Sequence, residues 1–108
     1  MSQTTILQGT LDLLILRTLA VGPLHGVGIA DRIKQVTKGT FDIKAGSLFP
    51  ALHRLEAEGW VTGEWGETPA GRRAKLYALT KDGRKMLASR QKSWTRVVIA
   101  IQQVMDMS

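Results

Sequence analysis

Residues 45–79 read AGSLFPALHRLEAEGWVTGEWGETPAGRRAKLYAL, and a change of period inside this stretch decides the fold. In its first half Leu48, Leu52 and Leu55 recur at helical spacing and form a core-facing stripe. A helix is therefore expected over Ala45–Glu58, with Gly59 ending it. Pro50 fits that helix if it lies in the first turn, where a backbone N–H lacks an intrahelical partner anyway. After Gly59 the period changes. Trp60–Gly66 and Arg73–Leu79 are short segments rich in β-branched and aromatic residues. Val61 and Trp65 share one face of the first, and Tyr77 and Leu79 alternate on the second. Between them Glu67–Arg72 holds Pro69 and Gly71, a turn cluster. The pair reads as a β-hairpin with a loop longer than the tight two-residue type, and both Trp60 and Trp65 are expected to pack at its base.

Upstream, Leu11, Leu14, Ile15 and Leu19 put a helix over Gln8–Ala20, stopped by Val21-Gly22-Pro23. A second helix is expected over His25–Thr37, with Ile29, Ile33 and Val36 as its apolar face and Lys38-Gly39 closing it. Downstream, Thr80 caps a last helix that runs without proline to about Met105. From Trp94 onward its apolar residues, Trp94, Val97, Val98, Ile101, Val104 and Met105, follow the three–four spacing of a packing seam.

The order helix, helix, helix, hairpin, helix is that of a mainly α winged helix-turn-helix. Residues 1–79 would form the DNA-binding unit, and 80–108 a C-terminal dimerisation helix in the same compact body. That arrangement suits duplex DNA, because the third helix offers its N-terminal end and one polar face to the major groove. With Leu48 turned to the core, the opposite side carries Gly46, Ser47, Pro50, His53 and Arg54, with Lys44 just before it. Small residues allow close approach to the DNA backbone, and His53 and Arg54 are long enough to reach base edges or phosphates. Alternatively these are ordinary exposed helix residues.

Charge sharpens the reading. Across the 108 residues, 15 Lys and Arg oppose 9 Asp and Glu, a net +6 that suggests a polyanionic partner. Between Arg72 and Arg96 stand nine basic residues, with only Asp82 against them. This run is either a solvated helix face or, at Arg72, Arg73 and Lys75 beside the hairpin turn, a set of phosphate contacts. A winged helix used for protein or RNA contact is the rival reading, which the basic wing disfavours.

Other functions find no support. The absence of cysteine excludes disulfides and thiolate metal sites. His25 and His53 fall on separate helices with no ligand at metal spacing, and no serine has a nucleophile's context. No enzyme activity, metal or cofactor is expected. Met1–Thr5 is polar, unlike a signal peptide. The apolar run Leu13–Leu16 is far short of the ~20 residues that span a bilayer. A soluble, cytoplasmic protein is expected.

Several motifs together resemble the PadR-type transcriptional regulators. They are Leu7–Leu16 (LQGTLDLLIL), Gly22–Gly26 (GPLHG), Gly46–Leu55 (GSLFPALHRL), Glu58–Trp60 and Arg72–Thr80 (RRAKLYALT), with Gly83. The match spans nearly the whole chain in order, and the Gly46–Leu55 motif is its most specific part. The resemblance implies a winged-helix homodimer on a pseudo-palindromic operator, usually a repressor relieved by small aromatic or cationic compounds. It also implies that Ser47, Phe49 and Pro50 contact the DNA, and that Arg72, Arg73 and Lys75 serve the wing. Phe49 departs from the tyrosine many members carry, and Val27 from a common aromatic. The chain ends after one long helix, like the compact subgroup, in which the first and last helices pack against their mates. Leu11 and Leu14 would then join the Trp94–Met105 seam at a dimer contact, unless that seam packs on its own first helix. Trp94 is either an anchor of that contact or, as in some compact members, the wall of a pocket for a flat effector.

Overall fold

The computed structural model describes residues 8–108. Met1–Thr5, read above for targeting, and Leu7 of the first motif lie outside the described residues. The elements follow in the order α1 (Gln8–Leu19), β1 (Leu24–His25), α2 (Gly26–Val36), α3 (Ala45–Ala57), β2 (Val61–Glu67), β3 (Arg73–Leu79) and α4 (Lys81–Met105).

Helices α1, α2 and α3 enclose the core. Ile15, Leu16 and Leu19 of α1 meet Ile29 and Ile33 of α2 and Leu48, Leu52 and Leu55 of α3, all buried. Val61, Tyr77 and Leu87 close it from the hairpin and α4. At ~1.5–3 kcal/mol for each fully buried aliphatic side chain, this cluster is the main stabilising term. Val36, expected on the core face of α2, is 71% exposed, because α2 ends there and the chain turns away.

The hairpin is antiparallel, with Val61 opposite Leu79 and Glu67 opposite Arg73. One strand was not expected. Leu24 and His25 pair with Tyr77 and Leu76, so the sheet has three strands in the order β1-β3-β2. The His25 ring reinforces this edge, its Nδ1–H donating to the Lys75 carbonyl at 2.9 Å. Through β1, the segment leading into α2 is tied to the wing.

Pro50 lies deeper in α3 than expected. With Ala45 as the first helical residue, Pro50 is in the second turn and cannot donate to the Gly46 carbonyl. Three core contacts hold the helix across that gap, since Leu48, Ala51 and Leu52 flank the proline and are all buried.

Thr80 joins hairpin to α4. Its hydroxyl accepts from Gly83 N–H at 2.9 Å and donates to the Gly59 carbonyl at 2.7 Å. A Cβ at Gly83 would collide with the Trp60 carbonyl oxygen, so only glycine lets α4 lie this close to the hairpin base. Arg90 marks where α4 leaves the body of the fold, and every residue from Gln91 onward is exposed. No described helix is long and apolar enough to cross a membrane.

Candidate nucleic-acid interface

Two surfaces bear on function. The first is the cleft between α3 and the wing. The second is the outer length of α4.

Helix α3 presents Lys44, Gly46, Ser47, Phe49, Pro50 and His53 to solvent, while Leu48, Ala51, Leu52 and Leu55 face the core. The leucine stripe thus rotates the helix as the heptad spacing requires, and the polar side is left free. Phe49 is the aromatic member of that side and is 42% exposed. Its ring is seated on Gly26, where a Cβ would stand 2.7 Å from Phe49 Cε1. The glycine of the His25-Gly26 pair therefore fixes how α2 supports the first turns of α3. Lys44 is 74% exposed in its side chain and pairs with Asp42 at 2.7 Å.

Opposite α3 stands the wing. Arg72 and Arg73 are exposed at its turn, which is held by Thr68. Thr68 N–H donates to the Arg72 carbonyl at 2.8 Å, and the Thr68 hydroxyl accepts from Arg72 N–H at 3.2 Å. Among the described residues no acidic group lies within 4.0 Å of either guanidinium. Lys75 is different. It pairs with Glu56 of α3 at 3.1 and 3.4 Å, so its charge is largely met within the fold. Burial pushes the Tyr77 hydroxyl above its ordinary pKa, offset in part by Lys75 and reinforced by Glu56. Tyr77 thus stays neutral at the floor of the cleft.

Phe49, His53, Arg72, Arg73 and Lys75 all line one cavity of about 510 Å³, together with Trp65 and Tyr77. Residues from two distant stretches of sequence are brought to a single basic cleft. Arg54 is not among them. It turns away from the groove face and pairs with Asp12 of α1. The Asp12 side chain is 5% exposed and is also approached by Arg90 of α4 at 3.6 Å. Arg54 is therefore a brace between helices. The helical wheel placed it on the groove side, but a long side chain follows the buried carboxylate beside it.

Trp65 requires a second correction. It does not pack at the hairpin base but is 59% exposed, flanked by the Arg73 guanidinium at 5.1 Å and the Lys75 ammonium at 5.5 Å from its ring centre. Trp60 is the tryptophan at the base, part-buried against the core and covered by Arg90 at 5.1 Å.

On α4, Trp94, Val97, Val98, Ile101, Val104 and Met105 are 43–71% exposed. None folds back into the core, as packing on α1 would require of the whole seam. Only at its start does the seam approach α1, where Trp94 and Val97 line a shallow cavity of about 420 Å³ with Gly9, Thr10 and Leu13. Leu11, expected at a dimer contact, is 6% exposed and belongs to the protomer's own core. Leu14 is part-buried against that core.

A three-helix core that presents the polar side of its third helix beside a basic wing defines a winged helix. The model of the "Transcriptional regulator PadR-like family" matches residues 15–89 of the chain. The chain belongs to that family, whose members are regulators and not enzymes. It is 30% identical over 97 residues to an uncharacterized protein of Lysinibacillus sphaericus, covering 90% of this chain and 89% of that protein. It is 32% identical over 73 residues to a transcriptional regulator of Mycobacterium tuberculosis, covering 68% of this chain and 64% of that one. The solved structure of a transcriptional regulator from Clostridium thermocellum superposes with a TM-score of 0.81 at 28% identity, covering 89% of this chain and 93% of that one.

Proposed function

We propose that the protein acts as a homodimer that binds duplex DNA at a pseudo-palindromic operator and represses transcription. The cleft carries this reading. It sets the exposed face of α3 beside two arginines that have no acidic partner among the described residues, the arrangement needed to hold a phosphate backbone next to a groove-reading helix. Lys44, Gly46, Ser47, Phe49, Pro50 and His53 would face the groove. Arg72 and Arg73 would hold phosphates, with Lys75 a weaker contributor because Glu56 already meets its charge.

The exposed seam of α4 supports the second half of the proposal. An apolar stripe of this length on a protruding helix calls for a partner, and a two-fold mate is the commonest one. Residues 1–79 would thus read DNA while α4 sets the distance between the two reading helices. That distance must be about 34 Å for successive major grooves. The cavity beside Trp94 lies where such a mate would cover it, and a flat effector enclosed there would change the spacing.

Duplex binding measured against salt tests this. Changing both Arg72→Ala and Arg73→Ala should weaken binding to every duplex and shallow the log–log salt slope by about one to two units. An unchanged slope would remove the wing from the interface. Binding of RNA or protein in preference to duplex DNA would replace the proposal by its rival.

A further inference from the structure

The position of Trp65 follows from the hairpin register. Cross-strand partners point to the same side of an antiparallel pair. Val61, Gly63, Trp65 and Glu67 stand opposite Leu79, Tyr77, Lys75 and Arg73, so these eight residues share one face. Near the hairpin base that face is core, with Val61 at 1% and Tyr77 at 6% exposure. Two residues further along each strand the core has ended, yet the face continues. There it carries an indole with two cations beside its ring, and it lines the same cleft as Phe49.

Folding does not account for this indole. It covers no core residue, and its exposure leaves a large apolar surface in water at a position where a polar residue would suit a wing. Its contacts are instead with charge, since Arg73 and Lys75 lie beside its ring. Phe49, which lines the same cleft, is seated on Gly26. The cleft thus has two aromatic surfaces beside Arg72 and Arg73, which meet no acidic group among the described residues. A sugar–phosphate chain has the matching chemistry. Its deoxyribose offers an apolar face, and its phosphates lie on either side of that sugar.

We propose that Trp65 is a DNA-contact residue whose ring packs on a deoxyribose of the strand whose phosphates Arg72 and Arg73 hold. This rests on the DNA-binding reading above and deepens it. The contact is neutral and does not read bases. It therefore adds affinity that is insensitive to salt and shared by all duplexes, whereas the arginines set the salt slope.

The two contributions separate in a plot of log affinity against log salt. The wild-type protein, Trp65→Ala and Trp65→Phe are titrated with one fluorescent duplex and one scrambled duplex by anisotropy. Trp65→Ala should lower affinity for both by about five- to tenfold at every salt concentration, with the slope unchanged. Trp65→Phe, which keeps a flat apolar ring, should retain most of the affinity. Intrinsic tryptophan emission should change when unlabelled duplex is added to the wild type and stay constant in Trp65→Phe. The exposure of Trp65 means both variants should keep wild-type helical circular dichroism. Unchanged affinity in Trp65→Ala would overturn the inference while leaving DNA binding intact. So would a reduced slope, which would mean that the ring acts only by placing Arg73 and Lys75. A wild-type protein that binds no duplex would instead overturn the DNA reading itself, and the Trp65 contact with it.

Discussion

Asp12 is the one buried charged residue among those described, and three helices meet on it. Arg54 of α3 pairs with one oxygen and Arg90 of α4 approaches the other at 3.6 Å. Asp12→Asn keeps the shape of the side chain but removes its charge and turns a donor toward donors. Breaking a fully buried pair costs about 3–5 kcal/mol. Here the Arg54 and Arg90 side chains are 36% and 33% exposed, so water recovers part of what they lose. The expected cost is therefore smaller, about 2 kcal/mol. For a chain of this size that lowers Tm by roughly 8–10 °C. Urea or thermal unfolding at fixed protomer concentration measures it, because a dimer's stability depends on concentration. The double change Asp12→Leu with Arg54→Met should recover at least half of the loss, since an apolar pair replaces a buried ionic one at little cost. A change below about 0.5 kcal/mol in Asp12→Asn would refute the view that this carboxylate fastens α3 to α1 and α4.

Two further substitutions probe the other joints of the fold. Ile101→Glu places a charge in the middle of the α4 seam and should give monomers by light scattering while helical circular dichroism is kept. A persistent dimer would move the contact elsewhere. Gly83→Ala forces α4 off the Trp60 carbonyl and should destabilise by about 3 kcal/mol, as overpacking against a rigid backbone does. Wild-type stability would mean that α4 is not held against the hairpin base.

Most of the fold was legible in the sequence because its signals were local. The leucines of α3 have a clear period, glycines and prolines punctuate the helix ends, and Thr80 is a recognisable cap. β1 was missed because two residues carry no period, and its partners in β3 lie more than fifty residues away. The errors at the site have a common source. Arg54 stands on the groove side of the helical wheel, and the resemblance gave Leu11 a dimer contact, but neither signal shows the neighbouring helix that draws each of them inward. Trp65 was assigned to the correct face of β2, yet alternation along a strand does not reveal where the core beneath that face ends. The basic wing was found because its charge is contiguous. The convergence of Phe49 and His53 with Arg72 and Arg73 needed the tertiary structure.

The most direct test of the account is anisotropy with the DNA immediately upstream of the protein's own gene, titrated against a scrambled duplex at several salt concentrations. The account predicts tighter binding to the upstream DNA, one dimer per site, and affinity that falls steeply as salt rises. Failure to bind either duplex at low salt would contradict it, and the α3–wing cleft would then have to serve a partner other than DNA.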